Sequence, residues 1–201
     1  MSIVCNLSPV GMVDQPRESA SAPHFTPSDP LAFLGLRENP FLDNVNPRYF
    51  FRTGAHEEAW LRMKQCIEEH ISMGLITARS GTGKTLLTQI LLEELRRGPW
   101  RPVLILAYPR ISRSALLAEI ASELQAPAPA RSSLHDLIAA VQRRIVELHT
   151  EGVKPVIMID EVHFLGGDAL HLLRTLSNME TPTRKLVTIL LFGEETFLDK
   201  L

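Results

Sequence analysis

Eight consecutive residues, 78–85, have the composition of a loop that binds phosphate groups. Their sequence is Ala-Arg-Ser-Gly-Thr-Gly-Lys-Thr, placed between a short, mostly apolar run at 74–77 and a leucine-rich, helix-like segment at 86–92. Small residues let several backbone N–H groups point at one anion, and the N-terminus of a following helix adds positive charge. The segment therefore predicts a binding site for the triphosphate of a nucleotide, and a chance glycine-rich turn is the alternative.

Each residue type in this loop has a chemical reason. Gly81 and Gly83 leave the backbone room to wrap an anion, and Ala78 adds only a methyl group where the strict pattern has glycine. Lys84 is expected to reach the β- and γ-phosphates, and the hydroxyl of Thr85 is expected to bind Mg²⁺. The residues predicted to contact the nucleotide are Ala78, Ser80, Gly81, Thr82, Gly83, Lys84 and Thr85.

Two adjacent carboxylates, Asp160 and Glu161, follow the apolar run 156–159. The run predicts a strand buried on both faces, and ligands of open α/β sheets bind at the edge where such strands end. We expect Asp160 to hold Mg²⁺ and Glu161 to polarise the water that attacks the γ-phosphate. Together with Lys84 they form the predicted catalytic set. An ordinary solvated strand end is the alternative, and the loop upstream argues against it.

These residues need a scaffold that brings the loop and the carboxylates together. Apolar runs predict strands at 74–77, 102–107, 156–159 and 185–192. Apolar residues at helical spacing predict helices at 55–72, 86–92, 112–125, 134–148 and 167–179, the fourth capped by Ser132 or Ser133. Strands that alternate with helices predict a P-loop type α/β fold, in which a mostly parallel sheet is covered by helices on both faces in three α/β/α layers.

Length and composition fit one soluble domain with a tail. Of the 201 residues, 45% are hydrophobic and 22% charged, and the net charge of −2 gives no global basic signature for nucleic acid. Residues 1–30 contain five prolines among serines and polar residues, so we expect a flexible tail followed by the ATPase domain at 31–201. The aromatic segment 31–51 is expected to pack along the nucleotide side of the core.

Two cysteines and the absence of a long apolar run limit the location of the chain. Cys5 and Cys66 are too few for a disulfide framework, which agrees with a reducing cytoplasm. No apolar run approaches the roughly 20 residues that span a bilayer. We therefore expect a cytoplasmic protein with no membrane span in this chain.

Several segments resemble the general secretion pathway protein A (ExeA-like) group of AAA+ ATPases. They are Phe-Leu-Gly-Leu-Arg-Glu-Asn-Pro-Phe at 33–41, Asn-Pro-Arg-Tyr-Phe at 46–50, and the stretches 80–85, 159–165, 173–181 and 189–193. The resemblance implies ATP and Mg²⁺ as ligands and the AAA+ strand order, with the 185–192 strand between the Asp160 strand and the loop strand. By the same resemblance we expect the chain to stop before the fifth strand and the helical lid.

The resemblance also implies a function. Members of this group use ATP binding and hydrolysis to drive assembly or conformational change of a partner complex, and they form homo-oligomers on nucleotide binding. The implied partner is a protein of a secretion machine. The alternative is an ATP-gated, DNA-associated regulator of transposition (TniB-like), for which DNA is the further candidate partner.

A helicase core is a minor alternative, because Asp160-Glu161-Val162-His163 spells a helicase-like signature. The Ser-Ala-Thr motif expected beyond that strand is missing. His163 is interpreted as a hydrogen-bonded neighbour of the site. Catalysis in AAA+ proteins also needs an arginine from a neighbouring subunit. Arg184 is the best candidate for it in this chain, and a solvated arginine at the end of a helix is the alternative.

Overall fold

A parallel sheet lies between two layers of helices in the computed structural model, which describes residues 2–7, 30–39, 49–127, 129 and 132–200. The strands are β1 (Ser2–Leu7), β2 (Met73–Ala78), β3 (Trp100–Leu106), β4 (Lys154–Asp160) and β5 (Thr188–Gly193). The helices are α1 (Pro30–Phe33), α2 (Gly54–Glu68), α3 (Lys84–Leu95), α4 (Arg113–Glu123), α5 (Leu134–Thr150) and α6 (Gly167–Ser177).

The order of the strands within the described residues is β1-β2-β5-β4-β3, and every neighbouring pair is parallel. In register, Thr77 faces Gly193, and Leu106 faces Asp160. The strand β5 therefore separates β2 from β4, which confirms the strand order that the resemblance implied. Because all strands point the same way, the loops after β2, β4 and β5 meet at one edge, which we call the carboxyl edge; the opposite edge is the amino edge.

Each face of the sheet buries its own apolar cluster, because β2, β4 and β5 are apolar on both sides. Helices α2 and α3 cover one face, and its largest buried side chains include Met63, Ile67, Leu87, Leu91 and Phe192. Helices α4, α5 and α6 cover the other face, and its buried side chains include Leu116, Ile120, Ile145, Leu173 and Phe197. The three-layer prediction is confirmed.

Helix boundaries follow from capping residues and from left-handed backbone. Ser133 is the N-cap of α5, since its hydroxyl accepts a hydrogen bond from the backbone N–H of Asp136 at 3.2 Å, while the Asp136 carboxylate accepts one from the Ser133 N–H at 3.0 Å. The helix predicted at 55–72 ends earlier, at Glu68, because His70 adopts a left-handed φ of 57° that no α-helix accommodates.

The strand predicted at 185–192 also begins later than expected, at Thr188. Lys185 instead pairs in an isolated antiparallel bridge with Glu180, and the side chains of the two residues form an ion pair. The bridge closes a short turn after α6, so the chain joins the sheet only beyond it.

The start of the chain departs most from its prediction. Residues 1–30 were expected to form a flexible tail, whereas Ser2–Leu7 forms a strand that pairs with β2 from Ser2↔Met73 to Leu7↔Ala78. Along the side of β2 that faces away from β5, the backbone groups need hydrogen-bond partners, and the segment with the strand-forming residues Ile3 and Val4 supplies them. The prolines that suggested a tail come later in the sequence. The described residues thus form five strands where four were predicted, and 8–29 lie outside them.

No helix within the described ranges is long and apolar enough to cross a bilayer. The longest, α5, spans 17 residues and carries polar and charged side chains along one side.

Candidate functional site

The loop between β2 and α3 has the backbone shape that its glycines predicted. Gly81 and Gly83 both have left-handed φ angles, 77° and 89°, which residues with a Cβ adopt only at a cost. A Cβ on Gly83 would lie 3.2 Å from Nε2 of His56, so the second glycine also makes room for a neighbour. Ala78, by contrast, is the last residue of β2, and its methyl group is fully buried in the core under α2 and α3.

Lys84 begins α3 and folds back over the start of the loop. Its side chain is only 6% exposed, and Nζ donates to the carbonyl oxygens of Ala78 at 3.1 Å and Arg79 at 3.0 Å. An ammonium carries three N–H groups, so one remains for a further acceptor. The positive charge is thereby held on the inner side of the loop.

Thr85 and Asp160 are brought together although 75 residues separate them. The Thr85 hydroxyl donates to Oδ2 of Asp160 at 2.9 Å, and the backbone N–H of Glu161 donates to Oδ1 at 2.9 Å. The Asp160 side chain is nearly buried, at 2% exposure. A hydroxyl and a carboxylate side by side are oxygen ligands of the type that Mg²⁺ prefers, so the donor set fits the predicted metal.

Glu161 adopts a left-handed backbone, with φ 56° and ψ 38°, immediately after β4. Such a conformation costs a residue other than glycine about 1 kcal/mol, and strained residues of this kind cluster at functional sites. Its carboxylate is about a third exposed, and Oε2 lies 3.3 Å from Nδ1 of His163 without the orientation of a hydrogen bond. His163 is therefore a close neighbour of the site, but the predicted hydrogen bond is absent from these two described side chains.

The end of β5 packs closely against the turn that follows β4. A Cβ built on Gly193 would lie 2.6 Å from Cγ1 of Val162, closer than any side chain tolerates. Only glycine lets β5 pass so near the short 3₁₀ helix Val162–Phe164, which follows Glu161. The position of the two carboxylates thus depends on the absence of a side chain in the neighbouring strand.

His56 contacts the loop and had no role in the sequence-based site. Its Nε2 lies 2.7 Å from the carbonyl oxygen of Thr82, and its Nδ1 lies 2.8 Å from the hydroxyl of Thr53, the N-cap of α2. The ring also meets Phe50 edge-on, with centroids 5.0 Å apart, which brings that end of the aromatic segment beside the loop. The spacing Thr-x-x-His at a helix start is the signal that indicates the cap, although nothing in it indicates the loop.

Two arginines occupy different parts of the molecule. Arg79, in the loop, lies 3.5 Å from the carboxylate of Glu195 beyond β5, so it ties the loop to the neighbouring turn. Arg184 precedes β5 and lines a cavity at the amino edge, away from this site. The structure therefore does not bring Arg184 to the phosphate-binding loop of its own chain, and a role in a neighbouring subunit stays a prediction.

Comparison with known proteins agrees with this geometry. Residues 67–201 match the family model described as AAA domain. General secretion pathway protein A from Aeromonas hydrophila is 30% identical over 162 residues, which cover 81% of this chain and 29% of that protein. The chain thus spans less than a third of the length of this curated relative.

Solved structures share the fold at low identity. Cdc6p from Pyrobaculum aerophilum superposes with a TM-score of 0.62 at 20% identity, covering 78% of this chain and 44% of that one. The ORC1 protein of Aeropyrum pernix, solved in complex with DNA, gives a TM-score of 0.61 at 20% identity over 80% of this chain and 44% of its own. At these identities the likeness shows the fold alone, over less than half of each neighbour.

Proposed function

The chain belongs to the AAA domain family of P-loop ATPases, and on that premise we propose that it binds Mg-ATP and hydrolyses it to drive assembly or conformational change of a partner complex. The observation that carries this proposal is the 2.9 Å contact between the Thr85 hydroxyl and the Asp160 carboxylate. It joins the phosphate-binding loop to the acidic end of β4, so the two predicted parts of the site lie next to each other.

Binding is the task of the loop and of Lys84. The backbone N–H groups at 80–84 and the N-terminus of α3 supply donors and partial positive charge for the phosphates. The ammonium of Lys84, now held by two carbonyl oxygens, adds a full charge. Thr85 and Asp160 are the residues that would hold Mg²⁺, which when bound neutralises charge on the phosphates.

Hydrolysis is assigned to Glu161. Its carboxylate is accessible to water, and the left-handed turn that places it is supported by Val162 and Gly193. We propose that this carboxylate orients the attacking water and accepts its proton. The N–H of Glu161 keeps Asp160 in place, so adjacent residues divide metal binding from water activation.

The likeness to a protein named for the general secretion pathway supports a protein partner in a secretion machine. We also propose that the chain forms homo-oligomers on nucleotide binding. We propose the cytoplasm as the location. DNA is the alternative partner, since one fold neighbour was solved with DNA, and an ATP-gated regulator of transposition would use it. Affinity for duplex DNA that depends on ATP and falls steeply with salt would favour this alternative. The AAA family match favours either over a helicase core.

Titration of ATP with Mg²⁺ into wild-type and Lys84→Ala protein tests the proposal. The wild type is expected to bind ATP, to melt at a higher temperature with it and to release phosphate. Lys84→Ala removes a charge-assisted contact worth about 1.5–3 kcal/mol, so its affinity is expected to fall about 10- to 150-fold. Lys64→Ala, on the outer side of α2, is the matched control and should bind as wild type. Equal ATP affinity in Lys84→Ala and Lys64→Ala would overturn the proposal.

A further inference from the structure

A cavity of about 160 Å³ opens at the amino edge of the sheet, on the side opposite the phosphate-binding loop. Its walls come from the turns before β2, β3 and β5 and from the junction of α5 with β4. One water needs roughly 10–15 Å³ measured in this way, so the space takes a small ion together with several waters.

The lining of the cavity carries charge of one sign. Five of its side chains are cationic or become so on protonation: His70, His149, Lys154, Arg184 and Lys185. Among the described residues that line it, none has a carboxylate. Lys185 pairs with Glu180 outside the cavity, and it is the only one of the five with an ion pair in the described part of the chain.

Lys154 is the most buried of these groups. Its side chain is 9% exposed, and Nζ donates to the carbonyl oxygen of Ile67 at 3.1 Å, which leaves two N–H groups for other acceptors. Burial, and secondarily the charge of Arg184, lowers the pKa of Lys154 to about 8. A buried ammonium without a carboxylate is costly, and a bound anion would offset that cost.

His70 provides a second and independent observation. Its backbone is left-handed, and Nδ1 is buried without a hydrogen-bond partner in the described structure. Burial lowers the pKa of His70 first, and the charges of Lys154, Arg184 and His149 lower it further. His70, whose Nδ1 lacks a partner, and Lys154, whose ammonium is incompletely bonded, are both lining residues of the same small space, and an N–H of each side chain can donate to an acceptor.

We propose that this cavity binds a phosphate group, either as free phosphate or as the terminal group of a small phosphomonoester. A tetrahedral dianion accepts several charge-assisted hydrogen bonds at once, which suits a set of converging cationic donors. Lys154 is buried, His70 is half-buried and Arg184 is exposed, so the lining offers donors at different depths to a small group that enters the cavity. The site is separate from residues 78–85 and does not depend on ATP binding there.

Titration with inorganic phosphate in a Lys84→Ala background tests this site, because that background weakens phosphate binding at the loop. Calorimetry and thermal melting at constant ionic strength are expected to show saturable binding and a raised melting temperature. Adding Arg184→Gln, an exposed change at the mouth, should weaken phosphate binding several-fold. Arg113→Gln removes the same charge at the exposed start of α4 and should leave it unchanged.

Adding Lys154→Met separates a binding role from a structural one. This variant should lose at least about tenfold in phosphate affinity. Without phosphate it should melt no lower than its parent, because methionine is similar in length to lysine and carries no charge to be buried. Should it fail to fold, Arg184→Gln still decides. A second titration with glycerol phosphate distinguishes the two sources, since binding of the ester assigns a phosphomonoester and its exclusion assigns free phosphate. Absence of phosphate binding, or an equal response in Arg184→Gln and Arg113→Gln, would overturn the site.

Discussion

The charged side chains at the two edges of the sheet differ in whether they have partners. At the carboxyl edge, Lys84 is held by two carbonyl oxygens, and the Asp160 carboxylate accepts from Thr85 and from the Glu161 N–H. At the amino edge, Lys154 and Arg184 lie near each other with no carboxylate among the described lining residues. One edge is internally matched before any ligand arrives, whereas the other carries excess positive charge that a ligand would neutralise.

This contrast indicates that the two edges suit different ligands, because one has paired charges and the other has excess positive charge. At a matched edge the charged groups are already held in place, so they need little rearrangement before a ligand binds. An unmatched edge gains stability from the ligand itself, since anything that binds only the folded state stabilises it. Substitutions of the charged groups at the carboxyl edge should therefore change ATP binding or hydrolysis, and those of the charged groups at the amino edge should change stability.

The largest expected effect belongs to Glu161→Gln at the carboxyl edge. The amide keeps the shape of the side chain but cannot take a proton from water, so the rate of ATP hydrolysis should fall about 10²–10⁴-fold while ATP affinity stays within a few-fold. Steady-state phosphate release and a separate binding titration measure the two effects. Glu151→Gln, at the end of α5, is the matched control and should hydrolyse normally. Parental turnover in Glu161→Gln would remove Glu161 from the assignment.

A smaller effect is expected from Gly193→Ala, which disturbs the support of the same edge. The new methyl group would lie 2.6 Å from Cγ1 of Val162, so the turn after Glu161 has to move. Overpacking of this kind costs about 1–3 kcal/mol in the free energy of unfolding, measured by urea denaturation. Gly167→Ala, with no atom within 4 Å of the added Cβ, should be as stable as wild type. Equal stability of the two variants would show that β5 does not constrain the turn.

The smallest effect is the pH dependence that Lys154 gives to the amino edge. Because its pKa is lowered to about 8 in the folded protein from 10.5, the unfolded chain binds the proton more readily. The destabilisation is complete below pH 8 and disappears as the pH rises toward 10.5. Lys154→Met in buffer without phosphate should therefore be more stable than wild type at pH 7, and this advantage should shrink by pH 9.5.

Urea denaturation of both proteins at the two pH values measures that difference. Burial raises the pKa of Cys66 to about 11, and loss of the Lys154 charge would raise it further, so the thiol stays protonated in both folded proteins at the two pH values and contributes nearly equally. An advantage of the methionine variant that is the same at both pH values would mean that the folded protein does not disfavour the charged form of Lys154.

The carboxyl edge was predictable from sequence because its residues are contiguous and chemically constrained. The loop needs its glycines, and the acidic pair must follow an apolar strand, so both segments carry their own signal. Their convergence through Thr85 and Asp160 follows from parallel strands that end at one edge. The strand order came from resemblance, since no local pattern in 156–159 or 188–193 says which strand lies beside β2.

The amino edge and His56 were not predictable for a physical reason. Residues 70, 149, 154 and 184 come from three separate places in the sequence: the turn before β2, the junction of α5 with β4, and the segment before β5. None of these is distinctive alone, and only the tertiary fold brings their charges into one cavity. The bond from His56 to the Thr82 carbonyl likewise joins a helix cap to a loop 26 residues away. The strand Ser2–Leu7 was not predicted, because its pairing with β2, which is distant in the sequence, stabilises it more than its own composition does.

The left-handed backbone of Glu161 has an evolutionary consequence. Glycine adopts this conformation without penalty, so a library of variants screened only for heat resistance is expected to accumulate glycine at position 161. Under the proposed assignment such variants would be more stable but would not hydrolyse ATP, because the carboxylate would be gone. Stability engineering of this chain should therefore keep glutamate at that position.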